Sequence, residues 1–264
     1  MPQNNPVENM YRKFCKALLG VQKQTSNIGT NLELGVVPIM FFAIKHCIKN
    51  WHRIHKEQEA NCILLAAHAM AIENNLPWPT LTKQTLDSIG IDTESDIRNI
   101  QRETLERMKD IYYRNNFEEI NSERSKLRTY ARLKTEIGIE TYLSNVENIA
   151  DRTALTKIRL SNHELMIEKG RHQGLEENQR ICPICQNGIE TEQHFLLECA
   201  TFRAHREQLM VEIANISPTF SEMNENDKFV HLLKEPCTSE LTGNYLSKTL
   251  SIRKFLLENH KEND

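Results

Sequence analysis

The sequence has few glycines and prolines and no long apolar run, and these absences exclude several classes of protein. Its 264 residues include 9 glycines and 8 prolines, so a fold rich in turns is not expected. The most apolar stretch extends only from Gly35 to Ile44 and is too short to span a bilayer. The first nine residues are polar and lack the apolar core of an export signal. We therefore expect a helical intracellular protein, in the nucleus or cytoplasm, that does not bind membranes.

No motif of a common enzyme class is present. The chain lacks a phosphate-binding P-loop, a dinucleotide fingerprint and the Gly-x-Ser-x-Gly elbow of hydrolases. His163-Glu164 could begin a His-Glu-x-x-His motif, but Ile167 occupies the position of the second histidine. A zinc deaminase needs His-x-Glu before Pro-Cys-x-x-Cys, whereas this chain has the reversed order Glu192-x-His194. The sequence therefore predicts a protein without enzymatic activity.

Charge of neither sign dominates the chain, but the two signs are unevenly distributed. The formal net charge is −3, yet the N-terminal quarter has an excess of Lys and Arg and the C-terminal quarter an excess of Asp and Glu. Lys45, Lys49 and Arg53 recur at helical spacing after Pro38, beside an apolar stripe. These cations predict a surface that contacts the phosphates of nucleic acid. An ordinary solvated helix face is an equally good interpretation.

Apolar residues repeat with helical periodicity along nearly the whole chain. The first such repeat consists of Met10, Phe14 and Leu18. Pro77 and Pro79 predict a hinge between helices. We predict a mainly α fold, a multi-helix array that carries a small zinc knuckle built from a short β-hairpin and a helix. The predicted parts are N-terminal helices (1–76), a helical middle region (77–175), the knuckle with its helix (176–215) and C-terminal helices (216–264).

Seven cysteines are an odd number, which with no export signal favours metal binding over disulfides. Four potential ligands follow one another in the order Cys-x2-Cys-x8-His-x4-Cys: Cys182, Cys185, His194 and Cys199. Three thiolates and one imidazole suit a tetrahedral Zn²⁺ ion and leave no coordination position open for a substrate. The pattern therefore predicts a structural CCHC zinc site. The alternatives are a chance cluster of reduced cysteines, or a site in which His172 or His205 replaces His194.

Several arginines lie near the predicted zinc site. Arg159, Arg171 and Arg180 occur in the segment that leads to Cys182. Zinc knuckles beside arginines commonly bind nucleic-acid backbones or unpaired bases, which favours RNA or DNA as the partner. In the alternative interpretation, Arg159 and Arg171 form ion pairs with nearby glutamates, namely Glu164 and Glu168.

The amino-acid sequence of this region is similar to that of a known family. The segments T-A-L-T-K-I-R-L-S-N-H-E-L-M-I-E-K-G-R-H, R-I-C-P-I-C and E-T-E-Q-H-F-L-L-E-C-A-T-F, followed by Arg206, resemble the C-terminal zinc-knuckle region of LINE-type (non-LTR) retrotransposon reverse transcriptases. Residues 1–76 resemble the segment after the polymerase thumb of such proteins. The resemblance implies that Cys182, Cys185, His194 and Cys199 bind zinc, with Arg159, Arg171 and Arg180 on the adjoining nucleic-acid side. It also implies an RNA or DNA partner and a polymerase partner in cis or in trans.

The chain departs from this family in what it lacks. It has no Tyr-x-Asp-Asp polymerase motif, and no endonuclease domain precedes the similar segments. We therefore expect a non-catalytic tail, either a fragment of a retroelement protein or a domesticated descendant of one. The alternative function is a zinc-stabilised scaffold for protein–protein interaction that does not bind nucleic acid.

Overall fold

The mainly helical prediction is confirmed by the structure, a computed structural model that describes residues 5–56, 62–90, 97–122 and 126–261. Single 3-10 or π turns lie between some of the α-helices. The α-helices of the described residues are α1 Pro6–Leu18, α2 Asn27–Leu34, α3 Met40–Lys56, α4 Cys62–Glu73, α5 Pro77–Ser88, α6 Ile97–Ile120, α7 Arg128–Leu133, α8 Tyr142–Asn145, α9 Ile149–Arg159, α10 Met166–His172, α11 Arg203–Ile216, α12 Glu225–Lys234 and α13 Ser239–Lys261.

The expected hairpin beside the metal ligands is not seen. The described residues contain no β-strand, and Ile181 and Ile189 form one isolated antiparallel bridge. Two backbone hydrogen bonds surround this bridge, from Cys182 N to Gly188 O and from Glu190 N to Arg180 O, both 2.9 Å long. The tight turn that carries the first two cysteines occupies the residues between Cys182 and Gly188, so the pairing cannot extend in that direction.

The prolines near residue 77 begin a helix. Pro77 is the first residue of α5, where the missing N–H of proline leaves no intrahelical hydrogen bond unmade. The sequence pattern predicts a helix that starts at Thr80 or Thr82, so the predicted start was late. Helical periodicity also predicts helices over residues 57–75 and 92–115. The structure describes them from Cys62 and Ile97 onward, and their first residues lie outside the described parts of the chain.

The chain divides into two compact units. The first contains Met1–Tyr11 and Val37–Glu118, and the second contains Arg12–Val36 and Glu119–Asp264. In the first unit, buried residues of α3 pack around Trp51, whose ring meets His68 edge-on at 4.7 Å between centroids. His68 is 5% exposed and is therefore a core residue. The predicted boundary after residue 76 falls inside this unit.

The second unit has one apolar core that includes the segment of the four potential metal ligands. Helices α9 and α13 pack extensively against each other and form its centre. The rings of Phe195 and Phe202 meet edge-on at 5.1 Å and are almost fully buried in the same core. Because Cys182 and Cys199 also belong to this core, the ligand segment is part of the folded unit and not an appended finger.

Candidate metal centre

The four side chains predicted to bind zinc lie together. One ligand atom from each of Cys182, Cys185, His194 and Cys199 lies within 4.8 Å of all the others. Cys185 Sγ and His194 Nε2 are 3.3 Å apart. Ligand atoms around a single tetrahedral zinc ion lie about 3.3–3.8 Å from one another, so these side chains need to close by only about 1 Å. The donor set and its spacing therefore fit a metal ion, and neither His172 nor His205 replaces His194.

Local backbone conformation brings the first two cysteines to the same side. The amide of Gln186 donates to the carbonyl of Cys182 at 2.9 Å, which closes a turn around Pro183. Gln186 and Gly188 then adopt positive φ angles of 53° and 85°, and this reverses the chain. Left-handed backbone is inexpensive for glycine and less favourable for glutamine. The sequence Q-N-G after the second cysteine thus directs the chain back toward His194.

The other two ligands lie at the two ends of one wide turn. Residues His194–Glu198 form a single π turn, which the amide of Cys199 ends by donating to the carbonyl of His194 at 2.7 Å. The hydroxyl of Thr191 accepts the amide hydrogen of His194 at 2.9 Å and fixes the start of the turn. His194 is 5% exposed and Cys182 and Cys199 are buried, whereas Cys185 is partly exposed to solvent.

Mutual contacts shift the protonation of the ligand side chains. A hydrogen bond with Cys199, together with burial, raises the pKa of Cys182 to about 12. The same hydrogen bond lowers the pKa of Cys199 to about 7, so Cys199 ionises first within the pair. A hydrogen bond with Cys182 raises the pKa of His194 to about 9. A divalent cation at the centre would lower the pKa of Cys182 and of His194 and would lower that of Cys199 further, since it binds thiolates and neutral imidazole.

A buried ion pair stands directly behind Cys182. The carboxylate of Glu190 lies 3.7 Å from Cys182 Sγ and accepts two hydrogen bonds of 2.7 Å from Arg253. It also accepts the amide hydrogen of Met166 at 2.6 Å. Glu190 is fully buried and Arg253 is 4% exposed. Sequence reasoning missed both residues, because nothing in the local sequence distinguishes them from surface charges.

A second charged network surrounds Glu192, two residues before His194. Glu192 accepts hydrogen bonds from Arg128 at 3.1 Å and contacts His163 Nε2 at 3.0 Å. Burial alone would raise the pKa of Glu192, but His163 and Arg128 outweigh it and lower the pKa to about 2. Arg128 also binds Glu168 at 2.7 Å. This network connects α7 and α10 to the segment that contains the four potential metal ligands, residues 182–199, together with the adjoining turn (the metal-binding segment).

The structure corrects the prediction for Arg159. Its guanidinium is fully buried and donates to Glu33 at 2.6 Å and to the carbonyl of Leu233 at 2.5 Å. Glu140 accepts a further hydrogen bond from it. Burial would lower the pKa of Arg159, but the charge of Glu33 more than offsets this effect and keeps the side chain cationic. Arg159 therefore neutralises two acidic side chains inside the protein and cannot contact a nucleic acid.

The other two predicted arginines are partly engaged within the protein. Arg171 binds Glu168 at 2.6 Å, as the ion-pair alternative expected, and its side chain is 35% exposed. Arg180 donates to the carbonyls of Leu175 and Ile167 at 2.8–3.1 Å, so its hydrogen-bonding capacity supports the loop before Cys182.

The three basic residues of α3 that the sequence predicts as phosphate contacts form a row on the surface of that helix. Lys45, Lys49 and Arg53 are exposed and lie four residues apart on one face of the helix. Within the described part of the chain, no acidic side chain forms an ion pair with any of the three. Their charges are therefore accessible from solvent.

Comparisons of the chain with models of protein families, with curated proteins and with solved structures found no match. No helix in the described ranges combines the length and apolar character needed to cross a bilayer. The functional interpretation therefore depends on the geometry and chemistry of the residues themselves.

Proposed function

We propose that this chain is a non-catalytic, zinc-binding module that binds RNA or DNA, as the C-terminal part of a LINE-type reverse transcriptase or as a domesticated fragment of one. The arrangement of Cys182, Cys185, His194 and Cys199 carries the zinc assignment. Soft thiolates select zinc over magnesium or calcium, which prefer oxygen ligands. Four protein ligands complete a tetrahedron, and the ion therefore supplies folding energy and no reactive position.

The nucleic-acid assignment has a separate basis. Lys45, Lys49 and Arg53 present a row of cations, spaced about 6 Å apart along the helix, that no acid among the described residues neutralises. Phosphates are the groups that such a row binds most readily, with release of counterions. The resemblance of the metal-binding segment to retroelement zinc knuckles points to the same class of partner.

A salt titration tests this proposal. We expect the full chain to bind a fluorescently labelled single-stranded RNA and a DNA duplex at low salt, with affinity that falls steeply as salt rises. The Lys45→Gln/Lys49→Gln variant should bind more weakly and reduce the salt slope by about 2. The Lys83→Gln/Lys109→Gln variant removes equal charge from exposed positions of the same unit and is the control. Binding that is absent at low salt, or independent of salt, would refute the proposal.

One observation favours a second function, a scaffold for protein–protein interaction. Val7, Met10, Phe14 and Leu18 line one face of α1, and each side chain is 50–66% exposed. Contiguous exposed apolar residues are a mark of contact surfaces. If this face recruits a protein, pull-down of partners will survive nuclease treatment and will be lost in the Met10→Ser/Phe14→Ser variant. Loss of all partners after nuclease treatment would exclude it.

A further inference from the structure

A polar cleft in the second unit is lined by none of the four potential metal ligands. Its volume is about 590 Å³, and it is formed by the loop after α1, the loop after α9 and helix α10. The amide of Gln22 donates to Asn162 at 3.0 Å, and Lys126 donates to the carbonyl of Gln24 at 3.0 Å. These hydrogen bonds fix the walls, so the cleft is a built feature of the fold.

Two polar groups of the cleft lack a hydrogen-bond partner. The hydroxyl of Ser161 and the Nε–H of Arg171 are both buried, and neither has a partner among the described residues. Ser161 is only 8% exposed. Buried polar atoms are nearly always paired, and two unpaired donors on the same cleft therefore point to an acceptor-rich ligand.

Ser161 occupies its position at a conformational cost. It has a positive φ of 51°, and its amide and that of Asn162 bond to the carbonyls of Ile158 and Lys157. This pattern is a Schellman motif, which ends α9 and in which the left-handed residue is usually glycine. A serine at this position makes the fold less stable than a glycine would, and residues with strained backbone of this kind cluster at functional sites.

The charge of the cleft favours an anion. Lys126, Lys169 and Arg171 line it, and Glu164 and Glu168 are its acidic residues. Glu168 already forms ion pairs, with Arg128 at 2.7 Å from outside the cleft and with Arg171 at 2.6 Å. Burial lowers the pKa of Lys126, and the charge of Arg171 lowers it further, whereas the charge of Glu168 raises it. An anionic ligand would offset the repulsion between Lys126 and Arg171.

We propose that this cleft binds a phosphate group of the nucleic-acid strand, with the hydroxyl of Ser161, the guanidinium of Arg171 and the ammonium of Lys126 as donors. This inference rests on the proposed nucleic-acid binding and deepens it, because it names where one phosphate is held. Phosphate oxygens accept several charge-assisted hydrogen bonds at once, which matches the two unpartnered donors, the hydroxyl of Ser161 and the Nε–H of Arg171, beside the ammonium of Lys126.

Ser161→Gly is the decisive variant, because it should not damage the fold. Glycine suits the left-handed position, so the melting temperature should stay the same or rise, while affinity for a labelled single-stranded RNA should fall about five- to tenfold with an unchanged salt slope. Asn75→Gly is the matched control, since Asn75 has the same φ of 51° at the end of α4 and is remote in sequence from the cleft. Lys126→Met should weaken binding and reduce the salt slope by about 1.

Three outcomes would overturn the inference. If the wild-type chain binds the RNA and both cleft variants bind it equally well, the cleft holds no phosphate of the strand, although the proposed function stands. If the wild-type chain binds no nucleic acid even at low salt, both proposals fail. Thermal denaturation with inorganic phosphate and with uridine 5′-monophosphate, at constant ionic strength, distinguishes a phosphate of the strand from a free phosphate ligand. In the third outcome, these small anions stabilise the wild-type chain, Ser161→Gly abolishes that stabilisation, and RNA binding is unaffected. The cleft would then bind a free ligand and not the strand.

Discussion

The guanidinium of Arg253 binds the carboxylate of Glu190 through two hydrogen bonds of 2.7 Å, directly behind the sulfur of Cys182. Arg253 lies on α13, whereas Glu190 lies in the metal-binding segment, so the pair joins the C-terminal helix to that segment. The positive charge also offsets the carboxylate, which would otherwise repel the thiolate form of Cys182. We therefore expect the stability of the final helix to be coupled to the affinity of the Cys₃His cluster for a metal ion.

We expect Arg253→Met to destabilise the chain by about 3–5 kcal/mol, since it leaves the carboxylate of Glu190 buried and unpaired. Zinc affinity should fall about 10- to 100-fold, the usual effect of losing a group that supports a ligand. Chemical denaturation and zinc competition with a chromophoric chelator measure the two effects. The double variant Glu190→Gln/Arg253→Met should recover part of the lost stability. If Arg253→Met is as stable as the wild type, the pair is not a structural link.

The metal itself should be essential for stability. The protein should contain about one zinc ion per chain by elemental analysis, and Cys182→Ser or Cys199→Ser should release it. Either variant should lose several kcal/mol, or about 10 °C in melting temperature for a unit of this size. Cys237→Ser is the matched control, because Cys237 is exposed and lies outside the cluster. Wild-type stability of both cluster variants, measured in the presence of a chelator, would show that no structural metal is bound.

Replacement of Arg159 should affect folding and not nucleic-acid recognition. Arg159→Met leaves the fully buried Glu33 without its ion-pair partner, and we expect a loss of about 3–5 kcal/mol. The double variant Glu33→Gln/Arg159→Met removes both charges and should regain much of that loss. Urea denaturation of the two variants and the wild type provides the comparison. A folded Arg159→Met variant that has lost only RNA binding would contradict the buried position.

Substitution of two glycines distinguishes the loss of stability caused by an unfavourable backbone conformation from the loss caused by steric overlap. Gly35 and Gly174 have similar left-handed φ angles of 62° and 74°. A Cβ at Gly35 would overlap the backbone nitrogen of Ile139, whereas a Cβ at Gly174 would have no atom within 4 Å. We expect Gly174→Ala to cost about 1 kcal/mol and Gly35→Ala at least about 3 kcal/mol. Equal losses in thermal denaturation would mean that the approach of Ile139 to Gly35 adds no constraint.

The metal ligands could be identified from the sequence because their assembly is local. All four lie between Cys182 and Cys199, where two turns suffice to bring thiolates and imidazole together. The helical content could also be predicted from the sequence, because the apolar residues of a helix repeat at helical spacing within a short segment. The error at Pro77 was also local, because a proline in the first turn of a helix resembles a helix breaker until the hydrogen bonds are seen.

The sequence alone therefore determined that this chain is helical and that it carries a Cys₃His cluster able to hold a metal ion. Only the tertiary structure decided what the charged residues do. Arg159 meets Glu33 across 126 residues of sequence, and Arg253 meets Glu190 across 63. An arginine has the same local signature whether it faces solvent or a buried carboxylate, since its environment is set by distant packing. The row at Lys45 and Lys49 stays accessible for the same reason, because packing brings no described acidic side chain into an ion pair with it.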